Sequence, residues 1–144
     1  MSDTFDIKYF EDLLTSNKMS NVIVKQISSY MWLQREHNSG IVCDFFKQKY
    51  YLSDNFLFFF NVMNELLCTC SKKMKYEYVF IFGDILSDLI DNLTLKCEDI
   101  LTLLKVYEII QIWDILLIFS TELMTISKKK IMEKVRYFKN RLKQ

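Results

Sequence analysis

Proline does not occur in this 144-residue chain, and glycine occurs only at Gly40 and Gly83. Alanine is missing as well, its place taken by Lys, Ile, Asn, Phe and Tyr, a bias that an AT-rich genome accounts for. Without proline, and with so few glycines, little interrupts a helix, so the chain reads as helix after helix with tight joints. Histidine is nearly missing too. The single one, His37, stands beside the expected end of a helix, where a partly exposed cap residue is the natural reading. No Gly-rich phosphate loop, H-E-x-x-H pair or nucleophile elbow is present, and the carboxylates sit singly on polar faces. The expectation is therefore a protein that is not an enzyme and has no metal site or cofactor.

Other absences bound its setting. The greasiest runs, "YVFIFGDILSDLI" and "IIQIWDILLIFS", are broken by Asp84, Asp88 and Asp114, short of the ~18 apolar residues of a membrane span. The opening "MSDTFDIKYFEDLL" is acidic and amphipathic, unlike a signal or transit peptide. Cys43, Cys68, Cys70 and Cys97 form no C-x-x-C pair, so free and mostly buried thiols in a reducing compartment are expected. These features predict a soluble intracellular protein.

What is present is helical periodicity. It predicts a first helix at about Thr4–Leu14, with Phe5, Tyr9, Phe10 and Leu13 on one face. Ser20 caps a second helix that runs to about His37, with Val22, Ile23, Ile27, Tyr30 and Met31 inward. "HNSG" closes it, Asn38 and Gly40 acting as stop signals. A short third helix, "IVCDFFKQKY", precedes a fourth within Asn55–Lys73. Further helices follow at about Lys75–Asn92, Lys96–Trp113 and Thr121–Thr125, with a last one from Ser127.

The fourth helix poses a question of chemistry. Asn61, Asn64, Glu65, Cys68 and Lys72 fall along one side of it, while Leu57, Phe59, Phe60, Met63, Leu66 and Leu67 crowd the rest. Buried amides need partners. Either these polar groups satisfy one another in the core, or they line a groove that something else fills. Charge is also uneven: residues 127–144 carry a net +7 and residues 1–126 a net −6. The basic last helix repeats Ile131, Val135, Phe138 and Leu142, so one face docks and the other meets an anionic partner or the acidic body.

The order of these helices resembles the CTD-interacting domain (CID) family, which binds the C-terminal repeat tail of RNA polymerase II. "SNVIVKQISSYMWLQREHNSGIV" is similar to that family's second and third helices, with Ser20, Ile27, Ser28, Tyr30, His37, Ile41 and Val42 on its pattern. "FNVMNELLC" puts Asn64-Glu65 at the family's Asn-Asp or Asp-Ser position. Tyr78, Phe82, Ile85 and Leu86 follow its fifth helix, and "EIIQIW" places Trp113 on its tryptophan. The likeness covers roughly residues 5–126. It implies an all-α fold, a right-handed superhelix of about eight helices, with residues 1–126 as the CID-like domain and residues 127–144 as a basic helix docked on it.

The resemblance further implies a nuclear binding module for the heptad-repeat tail, active in transcription termination or RNA 3′-end processing. Its peptide groove would use Ser20 and Asn21 at the start of the second helix, and Asn61, Asn64, Glu65 and Lys72 on the fourth. Asn64 would meet the repeat's tyrosine hydroxyl. Two positions depart from the family: Asn61 replaces a tyrosine, and Glu108 replaces the arginine that pairs with phosphate on the repeat's second-position serine. Lys105, one turn before Glu108, would substitute in part for that arginine, or else be taken up by pairing with the Glu108 carboxylate at i,i+3. The basic tail could add RNA or an acidic partner. An ENTH/VHS-like trafficking adaptor shares the superhelix, and a helical scaffold that has lost peptide binding is the third reading. No membrane partner is expected on the leading reading.

Overall fold

The computed structural model describes residues 4–15 and 20–143. Among them the chain is all-α, with seven helices and no strand: α1 (Ile7–Thr15), α2 (Asn21–Leu33), α3 (Ser39–Leu52), α4 (Phe56–Lys73), α5 (Glu77–Lys96), α6 (Ile100–Ile115) and α7 (Thr121–Leu142). Two compact units divide the chain, Met1–Phe82 and Gly83–Gln144.

In the first unit, α2 packs along α4 and α1 along α2. The Asp6 carboxylate starts α1 by accepting the Tyr9 amide at 3.0 Å, and only Phe10 and Leu14 of this helix are sealed. Tyr9, expected inward, is exposed. Ser20 caps α2 as its sequence suggests, its hydroxyl accepting the Val22 amide at 3.2 Å. The buried stripe of α2 is Val24, Ile27, Ser28 and Met31, an i, i+3, i+4, i+7 set. Val22, expected inward, is 67 % exposed because it lies two residues, some 200°, away from Val24. The "HNSG" stop is displaced. Helix α2 ends at Leu33, and Asn38 stands as the N-cap of α3, its side-chain amide donating to Gln34 Oε1 at 2.7 Å. Gly40 lies inside the first turn of α3. Aromatic rings fill the centre: Phe46 meets Phe59 and Phe82 edge-on at 5.2 and 5.6 Å, and Tyr50 meets Phe56, Phe59 and Phe60. Edge-to-face pairs add a fraction of a kcal/mol to about 1.5 kcal/mol each beyond their burial.

In the second unit, α6 packs along α7. Asp99 caps α6 through the Leu101 amide, and Ser120 caps α7 through the Leu123 amide, both at 3.2 Å. The count is seven helices and not about eight because the two expected after Thr121 are one. Ser127, taken as the start of a last helix, is 1 % exposed in the interior of α7, where its neighbours Met124 and Ile131 also point inward. No glycine or proline lies between Ser120 and Leu142 to break the run. Of the expected apolar stripe, Ile131 and Val135 are sealed, Phe138 is half-buried and Leu142 is 79 % exposed.

Two joints require left-handed backbone without glycine. Met74 after α4 and Leu117 after α6 have φ of 57° and 58°. Each follows a Schellman pattern: Lys75 N–H donates to Cys70 C=O and Ile118 N–H to Trp113 C=O, both at 3.0 Å. The tight joints expected from the lack of glycine are thus made by strained residues.

Candidate functional site

The polar side of α4 is half-open. Phe56, Phe58, Phe59, Phe60, Val62, Met63, Leu66, Leu67 and Cys70 are all buried on one arc of the helix. Leu57, Asn61, Asn64, Glu65 and Cys68 are half-buried on the other, and Lys72 is exposed at its end. This split follows from the 100° step per residue, which puts i, i+3, i+4, i+7 and i+11 side by side. The strip is therefore not part of the sealed core.

Within it, the Cys68 thiol donates to Asn64 Oδ1 at 3.4 Å, and Thr69 Oγ1 donates to the Glu65 carbonyl at 3.0 Å. Burial, and then the Glu65 carboxylate, push the Cys68 thiol above its ordinary range, so it stays a neutral donor. The surface thus offers amides, a carboxylate, a neutral thiol and the Leu57 side chain over about four turns, ending in an ammonium. Such a mixture can take an extended chain whose side chains have apolar bodies and polar tips.

The other nominated residues lie elsewhere. The Ser20 hydroxyl is engaged as the cap of α2, and Asn21 beside it is exposed. These two share the first unit with the α4 strip. Lys105 and Glu108 belong to the second unit and are both exposed on α6. The expected Lys105–Glu108 pair is absent: among the described residues no ion pair within 4.0 Å joins them. Several residues that carry the family resemblance are core: Ile27, Val42, Tyr78, Phe82, Leu86 and Trp113 are fully sealed. They speak to packing and not to a site.

Sequence reasoning did not anticipate a buried polar group in the first unit. The Arg35 guanidinium stacks 4.0 Å from the Trp32 ring centroid and donates to the Trp32 carbonyl at 3.0 Å. Its Nε, and Oε1 of Glu77, are cut off from solvent and make no hydrogen bond among the described residues. Cys43, Cys70 and Tyr78 lie in the same electrostatic neighbourhood, with the Tyr78 hydroxyl donating to the Met31 carbonyl. Burial is the first cause holding all three protonated, and it lifts the Cys70 thiol to about 11. All four cysteines are free, and the three buried ones, Cys43, Cys70 and Cys97, are inert packing groups at neutral pH. Nor was the shallow groove between α1 and α2 foreseen, lined by Tyr9, Val22, Lys25, Ser29 and Leu33. Its polar and apolar residues alternate too irregularly to show as a stripe.

No three metal-binding side chains converge among the described residues, and none of their helices is long and apolar enough to cross a membrane. Comparison with protein-family models, curated proteins and solved structures found no match.

Proposed function

We propose that this chain is a helical adaptor of the CID kind, which binds the heptad-repeat tail of RNA polymerase II in the nucleus and links transcription to termination or RNA 3′-end processing. One observation carries the reading: the half-open strip of Asn61, Asn64, Glu65 and Cys68 on an otherwise sealed α4, ending at exposed Lys72. Two amides held at partial exposure on an otherwise sealed helix are placed where a bound chain can reach them. A peptide groove needs polar groups that remain reachable. Asn64 is the residue we assign to the repeat's tyrosine hydroxyl, with Leu57 among the apolar side chains beside the ring.

The test titrates fluorescent two-repeat tail peptides, unmodified and phosphorylated at each serine, with anionic vesicles alongside. Asn64→Leu should weaken peptide binding by ~1–3 kcal/mol, the cost of leaving a hydroxyl unpaired, while stability changes little. Unchanged affinity would make Asn64 a structural amide. Vesicle binding in place of peptide binding would favour the trafficking-adaptor reading.

Glu108 supports a second reading, a scaffold that has lost phosphopeptide binding. Exposed and without an ion pair to Lys105, its carboxylate would repel a phosphate where an arginine would grip it. Second-position phosphoserine should therefore bind no better than the unmodified repeat, and Glu108→Arg should improve that phosphopeptide selectively.

A further inference from the structure

The second unit neutralises only part of its basic helix. Lys128 pairs with Asp114, and Lys130 with Asp91 at 2.7 Å. The six other cations of α7 and its cap, Lys129, Lys134, Arg136, Lys139, Arg141 and Lys143, make no ion pair among the described residues. An aromatic ring stands in the middle of this series. Tyr137 is 52 % exposed, with the Lys134 ammonium 5.5 Å and the Arg141 guanidinium 5.7 Å from its centroid. Spacing of i, i+3 and i+7 puts the three on one face. That face borders an open groove of about 650 Å³ whose other wall is Asp91, Thr94 and Leu95 of α5. The Asp91 carboxylate is already answered by Lys130, which leaves Glu133 as the uncompensated acid of the groove lining among the described residues.

We propose that this groove binds single-stranded nucleic acid, with a base stacked on Tyr137 and the backbone phosphates held by Lys134, Arg141 and the cations further along α7. The proposal stands on observations separate from the α4 strip. A base offers a π-face to the ring whatever its identity, and the adjoining phosphates require cations at this spacing. A lipid surface fits less well. A helix that lies in a membrane interface needs a free apolar face, whereas the apolar face of α7 (Met124, Ile131 and Val135) is already sealed in the unit. An acidic protein would use the cations, but the exposed Tyr137 ring that they flank would add nothing to its recognition.

The experiment measures anisotropy of a short labelled single-stranded RNA, and of the DNA of the same sequence, with the whole chain. Inorganic polyphosphate serves as a competitor that has charge but no bases. Tyr137→Ala should lower oligonucleotide affinity about tenfold, the loss of one stacked base, while Tyr137→Phe retains it. Lys134→Ala should flatten the slope of log affinity against log salt by about 0.7, one phosphate contact on a single strand. Glu133→Gln should tighten binding. Whichever of RNA and DNA binds more tightly names the natural strand. The proposal is overturned if Tyr137→Ala binds like the natural chain with its helix content intact. It is equally overturned if polyphosphate displaces the oligonucleotide at equal phosphate concentration, or if anionic vesicles bind more tightly than either strand.

Discussion

Alkaline pH should destabilise the protein through its first unit, and most of the effect follows from three sealed side chains. Cys43 and Cys70 are 1 % exposed and Tyr78 is fully sealed. In the unfolded chain the thiols ionise near their ordinary 9.0 and the phenol near 10.0. In the fold, burial keeps Cys43 and Tyr78 protonated far above those values and lifts Cys70 to about 11. The native state then holds more protons than the unfolded state, so stability is complete below about pH 9 and falls as pH rises from there. At about pH 10 each thiol should cost ~1.4 kcal/mol and the phenol ~0.4, together ~3 kcal/mol. Against a total of about 5–15 kcal/mol for a domain, that is a large share. Urea unfolding followed by circular dichroism at neutral pH and near pH 10 would measure it. Cys43→Ala lowers stability somewhat at both pH values through lost packing, but should shrink the alkaline drop by ~1.4 kcal/mol. An equal drop in the natural protein and the variant would refute the assignment, as would stability that is flat to pH 10.

Two further outcomes rest on geometry. Met74→Gly and Leu117→Gly should each raise the melting temperature, by a net ~1 kcal/mol of stability, because both residues are exposed side chains in left-handed backbone; a lower melting temperature in either would mean that its side chain contributes more than its backbone costs. Ile131→Ala should lose ~2–5 kcal/mol by cavity formation, while Leu142→Ala, exposed on the last turn of the same helix, should stay within ~0.5 kcal/mol in denaturant unfolding.

The sequence by itself determined the all-α class. With no proline and two glycines, almost nothing stops a helix, and local signals such as Ser20 as a cap act within one turn and so survive in any tertiary context. It also determined the half-polar character of α4, because a 100° step leaves Asn61, Asn64, Glu65 and Cys68 together whatever they face. Packing decided what local pattern could not. It chose Val24 over Val22 as the inward valine of α2, since which of two adjoining apolar stripes is buried depends on the partner helix. It kept Ser127 inside α7, where a buried serine looks in sequence like a fresh cap. It placed left-handed turns at Met74 and Leu117, where no glycine announced them, because a joint can hold a strained residue when the helices on either side are fixed. And it decided the charges of α7. Composition shows eight cations in the last 18 residues, but which are spent on Asp91 and Asp114 depends on residues far away in the chain that only folding brings within reach.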